Sequence, residues 1–98
     1  MNTNNPCISD EMLPIIEEAA SNLLTIRDIA RLIMIDEDFL RREIALPNSQ
    51  AHDFYYRGKT YILLELRKQE IKLALSGSPQ AVDKALDFIN DMNDDELL

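Results

Sequence analysis

The stretch TIRDIARLIMIDEDFLRREI, residues 25–44, decides how this chain is read. Ile26, Ile29, Ala30 and Ile33 recur at helical spacing, and Ile35 follows them. Asp36 is an acceptor suited to cap a next helix. Leu40 and Ile44 then share one face, with Phe39 beside them. Two short helices joined by about three residues have the layout of a helix-turn-helix, in which a first helix braces a second that can lie in a DNA groove. Ala30 is the small residue such a pair needs where the helices cross, and Leu40 is the apolar residue that locks the second helix. Met34 departs from the pattern. Glycine is usual there because the turn often needs φ > 0. The competing reading is two ordinary packed helices.

Thr25 should cap the first of these helices, with Asp28 three residues on in a variant of the capping box. On the second, about 100° per residue places Asp38, Arg41, Arg42 and Ala45 opposite Leu40 and Ile44. Arg41 and Arg42 are then the natural contacts to guanine edges or phosphates, and Asp38 could accept from a cytosine amine. Arg27 and Arg31 would support them on the DNA backbone. The bland alternative is a solvated face with local pairs such as Arg42 and Asp38.

Ninety-eight residues make a single domain. A chain this short buries a modest core and often gains stability by oligomerising. Its net charge of −8 opposes simple nucleic-acid binding. The distribution matters, however. Residues 1–24 hold four acids and no base, and residues 76–98 hold six acids and Lys84, whereas residues 25–75 hold nine bases and eight acids. The centre is near neutral and can present a local basic face. No apolar run approaches the ~18–20 residues needed to span a bilayer. The N-terminus MNTNNPCISD lacks the basic start and apolar core of a signal peptide. Cys7 is the sole cysteine, so no intramolecular disulfide forms, and a cytoplasmic location is expected.

Before this core stretch, residues 1–8 are polar and asparagine-rich, and a disordered lead is expected. A first helix over 10–23 follows, capped by Ser9 or Asp10, with Met12, Ile15, Ile16, Ala19, Ala20 and Leu23 on the helical period. Pro14 fits only its first turn. Helices are expected over 26–34 and 37–45. After Leu46-Pro47-Asn48-Ser49 breaks the chain, residues 50–76 read as one long helix, or two joined near Gly58. Two apolar stripes run along it. Phe54, Tyr61, Leu64, Ile71 and Leu75 form one; Tyr55, Ile62, Leu66 and Leu73 form the other, nearly opposite. A surface helix needs only one stripe. One stripe should therefore pack the chain's own helices and the other meet a neighbouring subunit, with Tyr55, Ile62, Leu66 and Leu73 as the candidate oligomer interface. The alternative is that the last helix folds back over the second stripe.

Gly77 supplies a left-handed stop, Ser78 a cap and Pro79 a first helical position for a last helix over 79–91. The acidic tail 92–98 either frays or offers a partner a charged peptide with a small apolar anchor. No glycine-rich phosphate loop, nucleophile–base pair or metal-ligand spacing occurs. His52 is a lone histidine, and Glu17 with Glu18 is a solvated pair. No enzyme, cofactor or metal site is expected. The chain divides functionally into 24–46, the helix-turn-helix, 50–91, the oligomerisation helices, and 92–98, the tail. The fold class is all-α.

The order of these features resembles the small subunits of phage terminases. YYRGK at the start of a long helix, then LALSGSPQAVDKAL, is similar to that family's rhythm, and the likeness covers roughly residues 24–90. The resemblance implies a non-enzymatic role in phage DNA packaging. The helix-turn-helix would touch double-stranded DNA, the long helix would build a ring-shaped homo-oligomer, and the tail would meet the large subunit. It also implies a phage or prophage protein in a bacterial host. Two rivals stand beside it: a small phage or mobile-element transcription regulator, dimeric and reading paired half-sites, and an acidic helical interaction module without DNA contact.

Overall fold

The computed structural model describes residues 7–98. The expected disordered lead over residues 1–8 falls mostly outside them. Five helices follow in order: α1 (Met12–Ser21), α2 (Ile26–Ile33), α3 (Glu37–Ala45), α4 (Gln50–Leu75) and α5 (Pro79–Glu96). The described chain is all-α, and none of its helices is long and apolar enough to cross a membrane. It divides into two compact units, Met1–Ile62 and Leu63–Leu98, with the boundary inside α4.

The helix ends follow from capping chemistry. Thr25 Oγ1 accepts from the Asp28 N–H at 3.1 Å, and the Asp36 carboxylate accepts from the Phe39 N–H at 2.9 Å. Ser78 Oγ accepts from the Ala81 N–H at 3.4 Å, with Pro79 in the first turn. Each satisfies a donor that the helix itself leaves unpaired. α1 starts differently from expectation. Glu11 occupies its cap position without a side-chain bond, and the Ser9 carbonyl accepts from the Met12 N–H at 3.0 Å.

α1, α2 and α4 close in the same way. A residue with positive φ follows the last turn, and the next N–H reaches back five residues. Leu24 N–H donates to Ala19 O, Ile35 N–H to Ala30 O and Ser78 N–H to Leu73 O, at 3.0–3.1 Å. The left-handed residues are Leu23 (φ 68°), Met34 (φ 59°) and Gly77 (φ 102°). This is the Schellman closure, which satisfies carbonyls the helix leaves open.

In the first unit, Ile16, Ala19, Ala20, Ile29, Ala30, Ile33, Leu40, Ile44 and Ala51 form one buried cluster. Ile16, Ile29 and Leu40 are fully enclosed. Burying each such side chain contributes about 1.5–3 kcal/mol. Ile8, Met12, Ile26, Ile35 and Tyr55 close the cluster's edges. The small residues let backbones approach. At Gly58, inside an unbroken α4, an added Cβ would overlap the Glu17 carbonyl of α1 and stand 3.0 Å from Ala20 Cβ. The α3–α4 connection is held by Ser49, whose hydroxyl donates to Glu43 O at 2.8 Å and accepts from the His52 N–H at 3.1 Å. His52 Nδ1 lies 2.7 Å from Ile44 O, so that nitrogen carries a proton, because a carbonyl can only accept.

The second unit is a helix pair with little enclosed surface. The turn Ser76-Gly77-Ser78 reverses the chain. The Arg67 guanidinium of α4 lies 4.4 Å from the centre of the Phe88 ring of α5, and 3.6 Å from the Asp91 carboxylate. Those contacts set the helices antiparallel. Ala81 is the one described residue of this unit that is fully buried. α5 also runs five residues past its expected end at residue 91. Nothing between Asn90 and Glu96 is a glycine or proline, so no local signal stops the helix there.

Candidate nucleic-acid interface

α2 and α3 are joined by Met34, Ile35 and Asp36. Ala30 is 3% exposed and Leu40 fully buried, so the small and the locking residue both sit in the shared core. Met34 takes the left-handed conformation a glycine would take, with its side chain in solvent. Chain reversal there turns Ile35 back against the core, where the Ala30 carbonyl receives its N–H. The turn geometry is imposed by what flanks it, not by the identity of residue 34.

Arg27, Arg31, Asp38, Arg41 and Arg42 are all exposed. Two of them converge. Glu37, in the first turn of α3, accepts from Arg41 Nε at 2.9 Å through one oxygen and from Arg27 Nε at 3.3 Å through the other. The start of α2 and the first turns of α3 thus share one charged cluster. The hydrogen bond from Arg41, with the positive charges of Arg27 and Arg41, holds the Glu37 carboxyl below its ordinary value near 4.5. The sequence starts a helix at residue 37 but does not show Glu37 bridging two helices. The only sequence signal was its position one turn before Arg41. Arg31, Asp38 and Arg42 lie outside this cluster. At about 100° per residue, Asp38 and Arg42 point away from Leu40 and Ile44, while Arg41 turns partway back toward α2.

The arrangement presents up to four guanidinium groups from two helices, each able to donate in a fork to phosphate or to a guanine edge. The same segment, residues 25–45, carries five acids and four arginines. Non-specific attraction to DNA is therefore small, and any affinity rests on placement.

A second cationic and aromatic group lies near the start of α4. Lys59 Nζ stands 5.9 Å from the Tyr55 ring and 5.7 Å from the Tyr56 ring, and Tyr56 stacks at 4.7 Å, tilted, on His52. Arg57 reaches Glu17 at 3.6 Å and covers the Phe54 ring. Of the four candidate interface residues on α4, Tyr55 packs on the first unit's core and Ile62 is half-buried. Leu66 and Leu73 are 52% and 51% exposed.

Comparison of the chain with protein families, with curated proteins and with solved structures finds no match.

Proposed function

We propose that the chain is a non-enzymatic DNA-binding subunit of the small-terminase kind. In this reading α2 and α3 form a helix-turn-helix that engages phage DNA for packaging, and α4 and α5 assemble the oligomer that regulates a large subunit. The observation that carries it is the α2–turn–α3 unit: a three-residue turn with left-handed Met34, Ala30 and Leu40 buried between the helices, and exposed arginines on both. α3 would lie in the major groove with Arg42 at its centre. Arg41 and Arg27 would flank it on the phosphates, and Arg31 would reach the backbone from α2.

The test is double-stranded DNA binding at low salt by fluorescence anisotropy, with Arg41→Ala/Arg42→Ala beside the parent. Both side chains are exposed, so the double variant keeps its fold. Loss of binding by at least roughly tenfold, about 1.4 kcal/mol, is expected. Equal affinity of the two proteins, or no binding by the parent, would sink the reading.

One observation favours a second reading, an acidic helical interaction module. Glu37 already occupies two of the four arginines, and the helix pair carries a net negative charge. Absence of retention on both DNA and heparin at low salt, with an intact fold, selects it.

A further inference from the structure

The helix pair of the second unit leaves a large apolar surface uncovered. Ten large apolar side chains between Leu63 and Met92 stand 40–85% exposed. At roughly 80–100 Å² apiece they present ~800–1,000 Å² in all, and the six that share one face present ~480–600 Å², the top of the ~300–600 Å² range for the largest apolar patch of an ordinary monomer and well over half of the ~800 Å² that is one partner's share of a standard interface. With Ala81 its only fully buried described residue, this unit has no core of its own. Segments this small are usually completed by disulfides, metals or oligomerisation.

The exposed residues are not spread evenly. α5 meets α4 through Arg67, against Phe88 and Asp91. Arg67 lies between the two apolar stripes of α4, so α5 sits over neither. At about 100° per residue, Leu64, Ile71 and Leu75 lie together on one side of Arg67, within roughly 40° of each other. On α5, Val82, Leu86 and Ile89 lie together within roughly 60°, off the Phe88 line. Because the helices run antiparallel, both turns carry these residues to the same side of the pair. They form one continuous apolar face. The opposite side is mixed: Leu66 and Leu73 there neighbour Lys84, Asp87 and Asp91 of α5.

We infer that a second copy of this chain packs on the face formed by Leu64, Ile71, Leu75, Val82, Leu86 and Ile89, so that two helix pairs close a two-fold four-helix bundle. A two-fold contact needs a single self-complementary patch, which this face supplies. Charge at the rim agrees. With the axis parallel to the helices, α4 of one copy lies over α5 of the other. Lys72 on the outer edge of α4 then stands level with Asp83 on the outer edge of the partner's α5, because the Arg67–Phe88 pairing fixes the heights. The occupant is a second copy and not an unrelated acidic partner, because the basic edge and its acidic complement both belong to this chain. The inference rests on the oligomer part of the proposed function; it puts a closed two-fold pair in place of the ring that the resemblance implies, and this face in place of the stripe with Leu66 and Leu73 as the site of pairing.

The test is the mass of the full chain in solution, without DNA, by sedimentation and light scattering. The parent should run as twice its 11.3 kDa at ~100 µM and its melting temperature should rise with concentration. Leu86→Glu/Ile89→Glu should run as a monomer with its helical circular dichroism retained, because both side chains are already about half exposed. Leu66→Glu should leave the mass unchanged. Lys72→Glu should weaken pairing several-fold and Asp83→Lys, added to it, should restore it, which decides the matter if the apolar variant unfolds. A monomeric parent, a Leu86→Glu/Ile89→Glu protein of parental mass, or an assembly broken by Leu66→Glu would each overturn the inference. DNA binding is read separately. A dimer that ignores DNA leaves this inference standing and removes the DNA reading; a monomer that binds DNA does the reverse.

Discussion

Two of the three residues that close helices in the left-handed region carry full side chains, Leu23 and Met34. That conformation costs an L-residue about 1–2 kcal/mol, and a glycine there gives back about 0.5–1 kcal/mol in unfolded-chain entropy. Met34 is 90% exposed, so its side chain supports almost no packing. Met34→Gly should therefore stabilise the chain by about 0.5–1 kcal/mol, read as a higher urea midpoint at unchanged slope. Gly58 is the opposite case. Alanine would gain about 1 kcal/mol of helix propensity. Its Cβ, however, would meet the Glu17 carbonyl and Ala20 Cβ, and a backbone atom in a neighbouring helix cannot rotate away. Overpacking of this kind costs about 1–3 kcal/mol, occasionally more. Gly58→Ala should lose up to about 2 kcal/mol net in the same measurement, and a raised midpoint would show that α1 can shift.

Between α2 and α3, Glu37 sets how the arginines are presented. It holds Arg41 and Arg27 on one carboxylate, and a phosphate would have to compete with it for them. Its folded-state pKa is depressed, chiefly by the Arg41 hydrogen bond. The stabilisation it brings is present above the ordinary carboxylate value and is lost as pH falls through the lower, folded value. Carbon-detected NMR titration should show the Glu37 midpoint below 4.5, and Arg41→Ala should move it upward. If the proposed function holds, Glu37→Gln should tighten DNA binding several-fold at neutral pH. It removes one repelled charge and releases two guanidinium groups, and the solvent-screened pairs it gives up contribute little to the fold. Weaker binding by that variant would mean that Glu37 positions the arginines more than it competes.

If the proposed function holds, the whole molecule binds an anionic polymer at a net charge of −8. Few phosphate contacts per copy imply modest affinity and a shallow salt dependence. Four arginines give a log–log slope of at most about −3.6. Pairing would double the engaged contacts and raise avidity by ~10²–10⁴ where geometry lets both copies reach DNA. The folded but monomeric Leu86→Glu/Ile89→Glu protein should accordingly bind DNA at least roughly 100-fold more weakly than the parent and with about half its salt slope. Equal affinity would show that one copy suffices.

Local chemistry made much of this fold legible in advance. Thr25, Asp36 and Ser78 cap where their hydroxyls and carboxylate can reach an unpaired N–H, and Gly77 and Pro79 punctuate where only their backbones fit. Apolar periodicity located all five helices, since the 3.6-residue repeat is written along the chain itself. The end of α5 was not legible, because nothing local stops a helix between Asn90 and Glu96. The helix-turn-helix pattern marked residue 34 as the place for φ > 0, but not that a methionine would hold it, which follows from burying Ile35 and satisfying the Ala30 carbonyl. The bridge from Glu37 to Arg27 spans ten residues, and no periodicity reports a contact between helices. The side of α4 on which α5 lies is a matter of the same kind. The sequence displays both apolar stripes equally, and only the placement of Arg67 against Phe88 and Asp91 shows that α5 sits between them and covers neither. Caps and periods are set by neighbours a turn apart, whereas faces are chosen by contacts that exist only once distant segments have met.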